Sequence, residues 1–190
     1  MNSFLISEKI KTVLTDCGLS VYELSLRTGM SEQALELILK NERIPSLAAL
    51  IKIARALGVR AGTFLDDMPH NAPIVLRQNQ HMHAASFSSQ LNTSNTHLDF
   101  YSLAGNKAGR SMEPFLITVH PTEQVETALS SHEGEEFIYV LKGTVQIQYG
   151  KETFVLNPGD SMYYDSVVHH LVKANGNTSS EILAVVYTPY

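Results

Sequence analysis

The hydrophobic positions change period once along the chain, near residue 98. Up to about Phe64 they recur at helical spacing. Leu5, Ile6, Ile10, Val13 and Leu14 fall at intervals of one, three and four, which predicts an amphipathic first helix ended by Gly18. Ser20-Val21-Tyr22-Glu23 reads as a capping box, with Ser20 capping a second helix and Glu23 bonding back to its start. Arg27-Thr28-Gly29-Met30 predicts a tight turn, after which Ser31 caps a third helix through about Lys40. Pro45-Ser46 opens a fourth helix over Leu47 to Leu57, closed by Gly58, and a short fifth turn covers Ala61 to Leu65.

Residues 67–97 are linker-like. Pro69, Asn71, Pro73 and the polar run from Ser86 to His97 break any period, apart from one strand predicted over Ile74 to Arg77 that packs on the following domain. From about Leu98 the period becomes two. Strands are predicted over 98–103, 113–120, 136–142, 144–149, 152–156, 161–164, 168–173 and 181–187. Gly143, Gly150, Pro158-Gly159 and Asn175-Gly176 punctuate them, a pattern that argues for a sandwich or a barrel. The organisation is therefore α+β and multidomain: helices in 1–66, a linker in 67–97 and an all-β domain in 98–190.

Composition agrees with a packed chain. Apolar residues make up 44% and charged residues 17% of the 190, enough for two cores. No apolar run reaches the length of a membrane span, and the N-terminus reads as neither leader nor anchor, so the expectation is a cytoplasmic protein with no membrane partner. The single cysteine, Cys17, has no partner for an internal disulfide and is expected as a small core or boundary residue. Charge is unevenly spread. Residues 1–67 hold eight basic and eight acidic residues, so the net charge of −5 lies wholly in the rest. A neutral helical module is a poor electrostatic match for nonspecific DNA binding, which depends on neutralising phosphates.

Leu24, Gly29, Leu35 and Ile38 around a short turn form the two-helix spacing of a DNA-reading unit. The stretch GLSVYELSLRTGMSEQALELILKNERIPSLAALIKIARALGV resembles the phage-repressor-like helix-turn-helix family. The resemblance implies a five-helix lambda-repressor-like domain whose third helix enters the major groove. By position Ser31, Glu32, Gln33 and Glu36 would face DNA, with Lys40 and Arg43 beside them. Gln33 suits an adenine edge, whereas Glu32 and Glu36 can accept from cytosine but repel phosphates. The helix departs from the family pattern where it would touch DNA, so a packing or dimer element stands as the alternative.

In the second domain, Ser130-Ser131-His132-Glu133-Gly134-Glu135-Glu136-Phe137-Ile138-Tyr139-Val140-Leu141-Lys142-Gly143 and Asn157-Pro158-Gly159-Asp160 through His169-His170 resemble the two cupin motifs at the family's usual separation. The resemblance implies a double-stranded β-helix, or jelly-roll barrel, with a divalent metal (Fe, Zn, Mn or Ni). The family's ligands map onto His132, Glu136 and His170, with His169 as runner-up for the last; Ser130 stands where the first His would be. Two imidazoles and one carboxylate resemble the facial triad of nonheme iron oxygenases. His132 and Glu136 can share a centre if a bulge or turn at Gly134 sets their facing. His70, His81, His83, His97 and His120 are assigned to ordinary surface or hydrogen-bonded roles. Phe115, Ile117, Tyr139, Met162 and Tyr164 are the ligand-pocket candidates, with Phe137 and Ile147 as further barrel lining.

Helix-turn-helix plus cupin resembles a group of bacterial regulators in which the barrel senses a small molecule. That resemblance implies a double-stranded DNA operator, a small-molecule effector and a homodimer matched to a two-fold site. The same architecture resembles the hydroxypropylphosphonate epoxidase family of nonheme iron oxidases, in which helices cap the barrel. Here the second domain and its linker offer few cations for a phosphonate: Arg77, Lys107, Arg110, Lys142, Lys151 and Lys173. A non-catalytic ligand-binding or assembly protein is the third alternative.

Overall fold

The computed structural model describes residues 3–65, 73–78, 82–87, 97–105, 107, 109–122 and 129–189. Among these residues five helices come first: α1 (Ser3–Asp16), α2 (Val21–Thr28), α3 (Glu32–Leu39), α4 (Leu47–Ala56) and α5 (Gly62–Leu65). Each boundary has a local cause. The capping box at α2 is complete, with Ser20 Oγ accepting from the Glu23 N–H and the Ser20 N–H donating to Glu23 Oε2 at 2.8 Å. Ser31 and Ser46 cap α3 and α4 in the same way, accepting from Ala34 and Ala49. Leu24, Leu35, Ile38, Leu50 and Ile53 are fully buried between the helices, each contributing about 2 kcal/mol of apolar burial. Cys17 follows the last residue of α1 in the closing turn and is exposed, its thiol 3.7 Å from the Leu57 carbonyl oxygen.

Among the described residues nine strands follow: β1 (Met82–Phe87), β2 (Leu98–Ser102), β3 (Met112–Val119), β4 (Glu135–Lys142), β5 (Val145–Tyr149), β6 (Glu152–Leu156), β7 (Ser161–Asp165), β8 (His170–Ala174) and β9 (Ser180–Tyr187). They pair antiparallel into a six-stranded sheet, β1-β2-β3-β9-β4-β7, and a three-stranded sheet, β6-β5-β8. Strict alternation decides what faces in. On β3, Glu113, Phe115, Ile117 and Val119 are buried, and on β9 Ile182, Ala184 and Val186 are. The strand expected over Ile74–Arg77 does not form. Residues 73–77 carry no regular structure, and the strand of this region is β1, paired to β2, whose hydrogen bonds a short apolar run could not forecast.

The helices dock on the barrel through α4 and α5. Gly62 lies against the Arg110 guanidinium so closely that a Cβ there would sit 2.5 Å from a terminal nitrogen. That guanidinium is pinned by a buried ion pair to Glu113 at 2.6 Å, and Arg60 donates to the Arg110 carbonyl at 3.0 Å. Arg55 of α4 pairs with Glu133 at the barrel mouth. No helix among the described residues is long and apolar enough to cross a membrane.

Candidate metal centre

Three segments bring His132, Glu136 and His170 together. Glu136 is the second residue of β4 and stands directly opposite Tyr164 of β7. His170 opens β8 on the other sheet, opposite Tyr149 of β5. His132 precedes β4, its backbone N–H donating to the Ser166 carbonyl at 3.0 Å. Between His132 and Glu136 the chain turns at Gly134, where φ is +105° and the missing Cβ would lie 1.9 Å from the Tyr187 carbonyl oxygen. Only glycine fits that approach. The turn supplies the facing that the spacing of His132 and Glu136 left open.

All three side chains are buried, and a ligand-capable atom of each lies within 4.8 Å of the others. Glu136 Oε1 is 2.7 Å from His132 Nε2 and 3.6 Å from His170 Nε2. The far side of each ring is fixed. His132 Nδ1 lies 3.0 Å from the Glu133 carbonyl oxygen, and His170 Nδ1 lies 2.9 Å from that of Val168. A carbonyl only accepts, so each Nδ1 carries the proton and each Nε2 is turned to the carboxylate. Tyr164 donates its hydroxyl to Glu136 Oε2 at 2.5 Å. Two imidazole nitrogens facing one carboxylate oxygen require positive charge between them, a proton or a cation.

The electrostatics follow from that requirement. Burial pushes the Glu136 carboxyl up, but its bonds to His132 and His170 prevail and hold it well below the usual range. Burial pushes the His170 imidazole down, and the Glu136 bond and charge outweigh it, leaving the ring more basic than usual. Burial and the neighbouring Glu136 hold the Tyr164 phenol well above its ordinary value, so it stays a donor. The donor set fits a divalent cation: both rings are held in the tautomer that frees Nε2 for coordination, and the carboxylate is ionised.

A cavity of about 80 Å³ opens on this cluster. Its wall includes Phe100, Ile117, Ile138, Ile182 and Val186 from the barrel, and Ser46, Leu47 and Ala48 from the start of α4. The helical domain thus supplies part of the cavity wall. Ser130, in the place of the first cupin His, also lines it. His169 lies in the turn just before β8 and is exposed; it does not join the cluster.

The pocket candidates divide. Ile117 lines the cavity. Phe115 is core, packed edge-on against Phe100 with ring centroids 5.4 Å apart, and Tyr164 braces Glu136. Met162 is half-buried against the core. Tyr139 is corrected: it lies on the outer face, 38% exposed, because Glu136, Ile138 and Val140 occupy the inward phase of β4. Phe137 shares that outward phase, and Ile147 is fully buried core.

Of the other histidines, His120 is hydrogen-bonded to Asp99 at 2.9 Å and faces Ser179 Oγ at 3.0 Å. His70 and His81 lie outside the described residues, as does the side chain of His83. His97 departs from its assignment. It is buried on the cavity wall, its Nε2 has no hydrogen-bond partner among the described residues, and burial lowers its basicity. Neither His97 nor the α4 wall carries a sequence signal, since both reach the cavity only through tertiary packing.

On α3, Leu35, Ile38 and Leu39 are buried, while Ser31, Glu32, Gln33, Glu36 and Lys40 are exposed and Arg43 is half-buried. Ser31 is occupied as the cap, and Glu36 pairs with Lys40 at 2.9 Å. The outer face of the third helix is not covered by the barrel.

A family model described as helix-turn-helix matches residues 10–64, and one described as cupin domain matches residues 115–186. No curated protein matches the chain. Among solved structures, an HTH_3 family transcriptional regulator from Vibrio cholerae is 22% identical over 99% of this chain and 97% of its own, with a TM-score of 0.73. An Fe(II) hydroxypropylphosphonic acid epoxidase with an alternative substrate is 20% identical over 98% of this chain and 99% of its own, with a TM-score of 0.52. The epoxidase from S. wedmorenis gives 20%, 97%, 98% and 0.50 in the same order. At these identities the likeness establishes the fold.

Proposed function

We propose that this chain, a helix-turn-helix domain joined to a cupin domain, is a sequence-specific DNA-binding transcriptional regulator whose barrel senses a small molecule through a divalent metal. The observation that carries the reading is the division of labour between two faces. The polar side of α3 is open to solvent, and the barrel holds a buried His132–Glu136–His170 cluster at a cavity. Gln33 is the base-reading side chain; Ser31, Glu32 and Glu36 lie beside it, and Lys40 and Arg43 hold phosphates. A homodimer places two such helices on a two-fold operator. His132, Glu136 and His170 would hold the metal, which would supply Lewis acidity toward a bound effector.

The test is binding of the full chain to double-stranded DNA from upstream of its own gene, over a range of salt. The reading predicts saturable binding at one sequence, weakening with salt, and lost in Gln33→Ala. Binding equal at all sequences, or none, overturns it.

One observation favours a second reading. The start of α4 walls the cavity beside the cluster, as a cap on an active site would. In that reading the chain is a nonheme iron oxidase, and His132, Glu136 and His170 position the metal while Leu47 and Ala48 exclude water. Oxygen consumption dependent on a small acid substrate, from a chain that binds no DNA, would select it.

A further inference from the structure

A second space adjoins the cluster on the side of the helices, an open cleft of about 500 Å³ between α2, α4 and the barrel mouth. Three cations border it: Arg27 at the end of α2, and Lys52 and Arg55 on successive turns of α4. One acid borders it, Glu133, and it is paired with Arg55. The chain as a whole carries −5 and its helical part is neutral, so this positive excess is local. The sequence placed the scarcity of cations in the barrel; the fold supplies them from the helices.

The three cations are held differently. Arg27 donates one guanidinium nitrogen to the Ala56 carbonyl at 3.1 Å, which fixes the group at the end of α4 and leaves further N–H groups for a ligand. Lys52 is exposed and makes no ion pair among the described residues. Arg55 is shared with Glu133, whose carbonyl also orients His132. His132 borders both the cleft and the buried cavity. An acid group seated on the cations would therefore hold the rest of its molecule at the edge of the cluster.

We propose that this cleft binds the oxyanion head, carboxylate or phosphoryl, of a small anionic effector, with Arg27, Lys52 and Arg55 as its cations. The proposal rests on the reading that the barrel senses a small molecule. It adds a route for the signal: the anion competes with Glu133 for Arg55, loosening the pair that ties α4 to the mouth. The coupling is reciprocal, so whatever holds α4 on the barrel also sets the affinity of the cleft.

The test uses the full chain with two probes, inorganic phosphate and malonate, titrated calorimetrically at constant ionic strength against chloride. Saturable binding of either probe is expected, about tenfold weaker in the Lys52→Gln, Arg55→Gln double variant. Glu133→Gln is expected to tighten it by releasing Arg55. The tighter probe identifies the head group. If the double variant misfolds, Lys52→Gln alone keeps the test, because that side chain is exposed and makes no ion pair among the described residues. His170→Ala leaves the cleft intact and removes one arm of the cluster, so metal loss there with phosphate or malonate binding retained separates this site from the metal reading. Lys40→Gln with Arg43→Gln, neither of which borders the cleft, is expected to leave phosphate and malonate binding there unchanged. No saturable binding of either probe, binding indifferent to Lys52 and Arg55, or binding lost on changing Lys40 and Arg43 overturns the proposal.

Discussion

The outer face of α3 and the interior of the barrel hold charge on opposite terms. On α3, Glu36 and Lys40 are about half exposed, and water screens their pairing, so it contributes little to stability. In the barrel, Glu136, His132 and His170 are buried, and none can be charged without a partner within reach. An exposed polar face tolerates many side chains and so says little about its use. A buried group with two imidazoles, a carboxylate and a phenolic donor aimed at one point is tightly constrained, and its chemistry is the firmer guide to function.

The strongest way to break the contrast is at Gly134. Gly134→Ala forces a Cβ onto the Tyr187 carbonyl at a positive φ, and is expected to cost about 4 kcal/mol of stability in denaturant melts, with loss of metal. A variant as stable as the parent would show that the turn does not set the cluster. Tyr164→Phe comes next. It leaves Glu136 Oε2 without its donor, and should weaken metal binding about tenfold or more while the barrel stays folded. Unchanged affinity in a competition titration would make Tyr164 a core residue only.

The pH dependence sharpens the interior side. Without metal, the Glu136 contribution is present above pH 4.5 and is lost only as pH falls through its depressed pKa. The His170 contribution is complete below pH 6.5 and is lost as pH rises through its raised pKa. Metal-free protein should therefore melt highest between those two values and lower above pH 6.5. Metal has to displace the His170 proton, so its affinity should rise over that same alkaline range. A metal-free melting temperature that climbs steadily to pH 8 contradicts this. The smallest effect belongs to the exposed side: Lys40→Ala should weaken operator binding a few-fold and reduce the salt slope by about one. A slope unchanged in band-shift titrations would remove Lys40 from the DNA face.

Much of this was legible along the chain because the two periods do not overlap. Helix ends were marked by Ser20, Ser31, Ser46 and Gly29, and the strands from Leu98 onward by alternation and glycine turns. The three cluster residues came from motif resemblance, and Gly134 proved to be the turn that lets them converge. What escaped depends on side-chain phase and on docking. Tyr139 reads as a pocket residue from its motif, yet its odd separation from the inward Glu136 puts it outside. His97 reads as one more histidine until the fold buries it on the cavity wall without a partner for Nε2. The α4 wall and the Arg55–Glu133 pair join residues far apart in sequence, and no local pattern announces them.

The account depends most on a divalent metal at the barrel centre. Cobalt(II) titration of the full chain under anaerobic conditions, followed by its visible absorption bands, tests this directly. The account predicts saturation at one ion per chain, and loss of tight binding in Glu136→Ala by about a hundredfold or more. Weak binding without an endpoint, or the same curve in parent and variant, would contradict it.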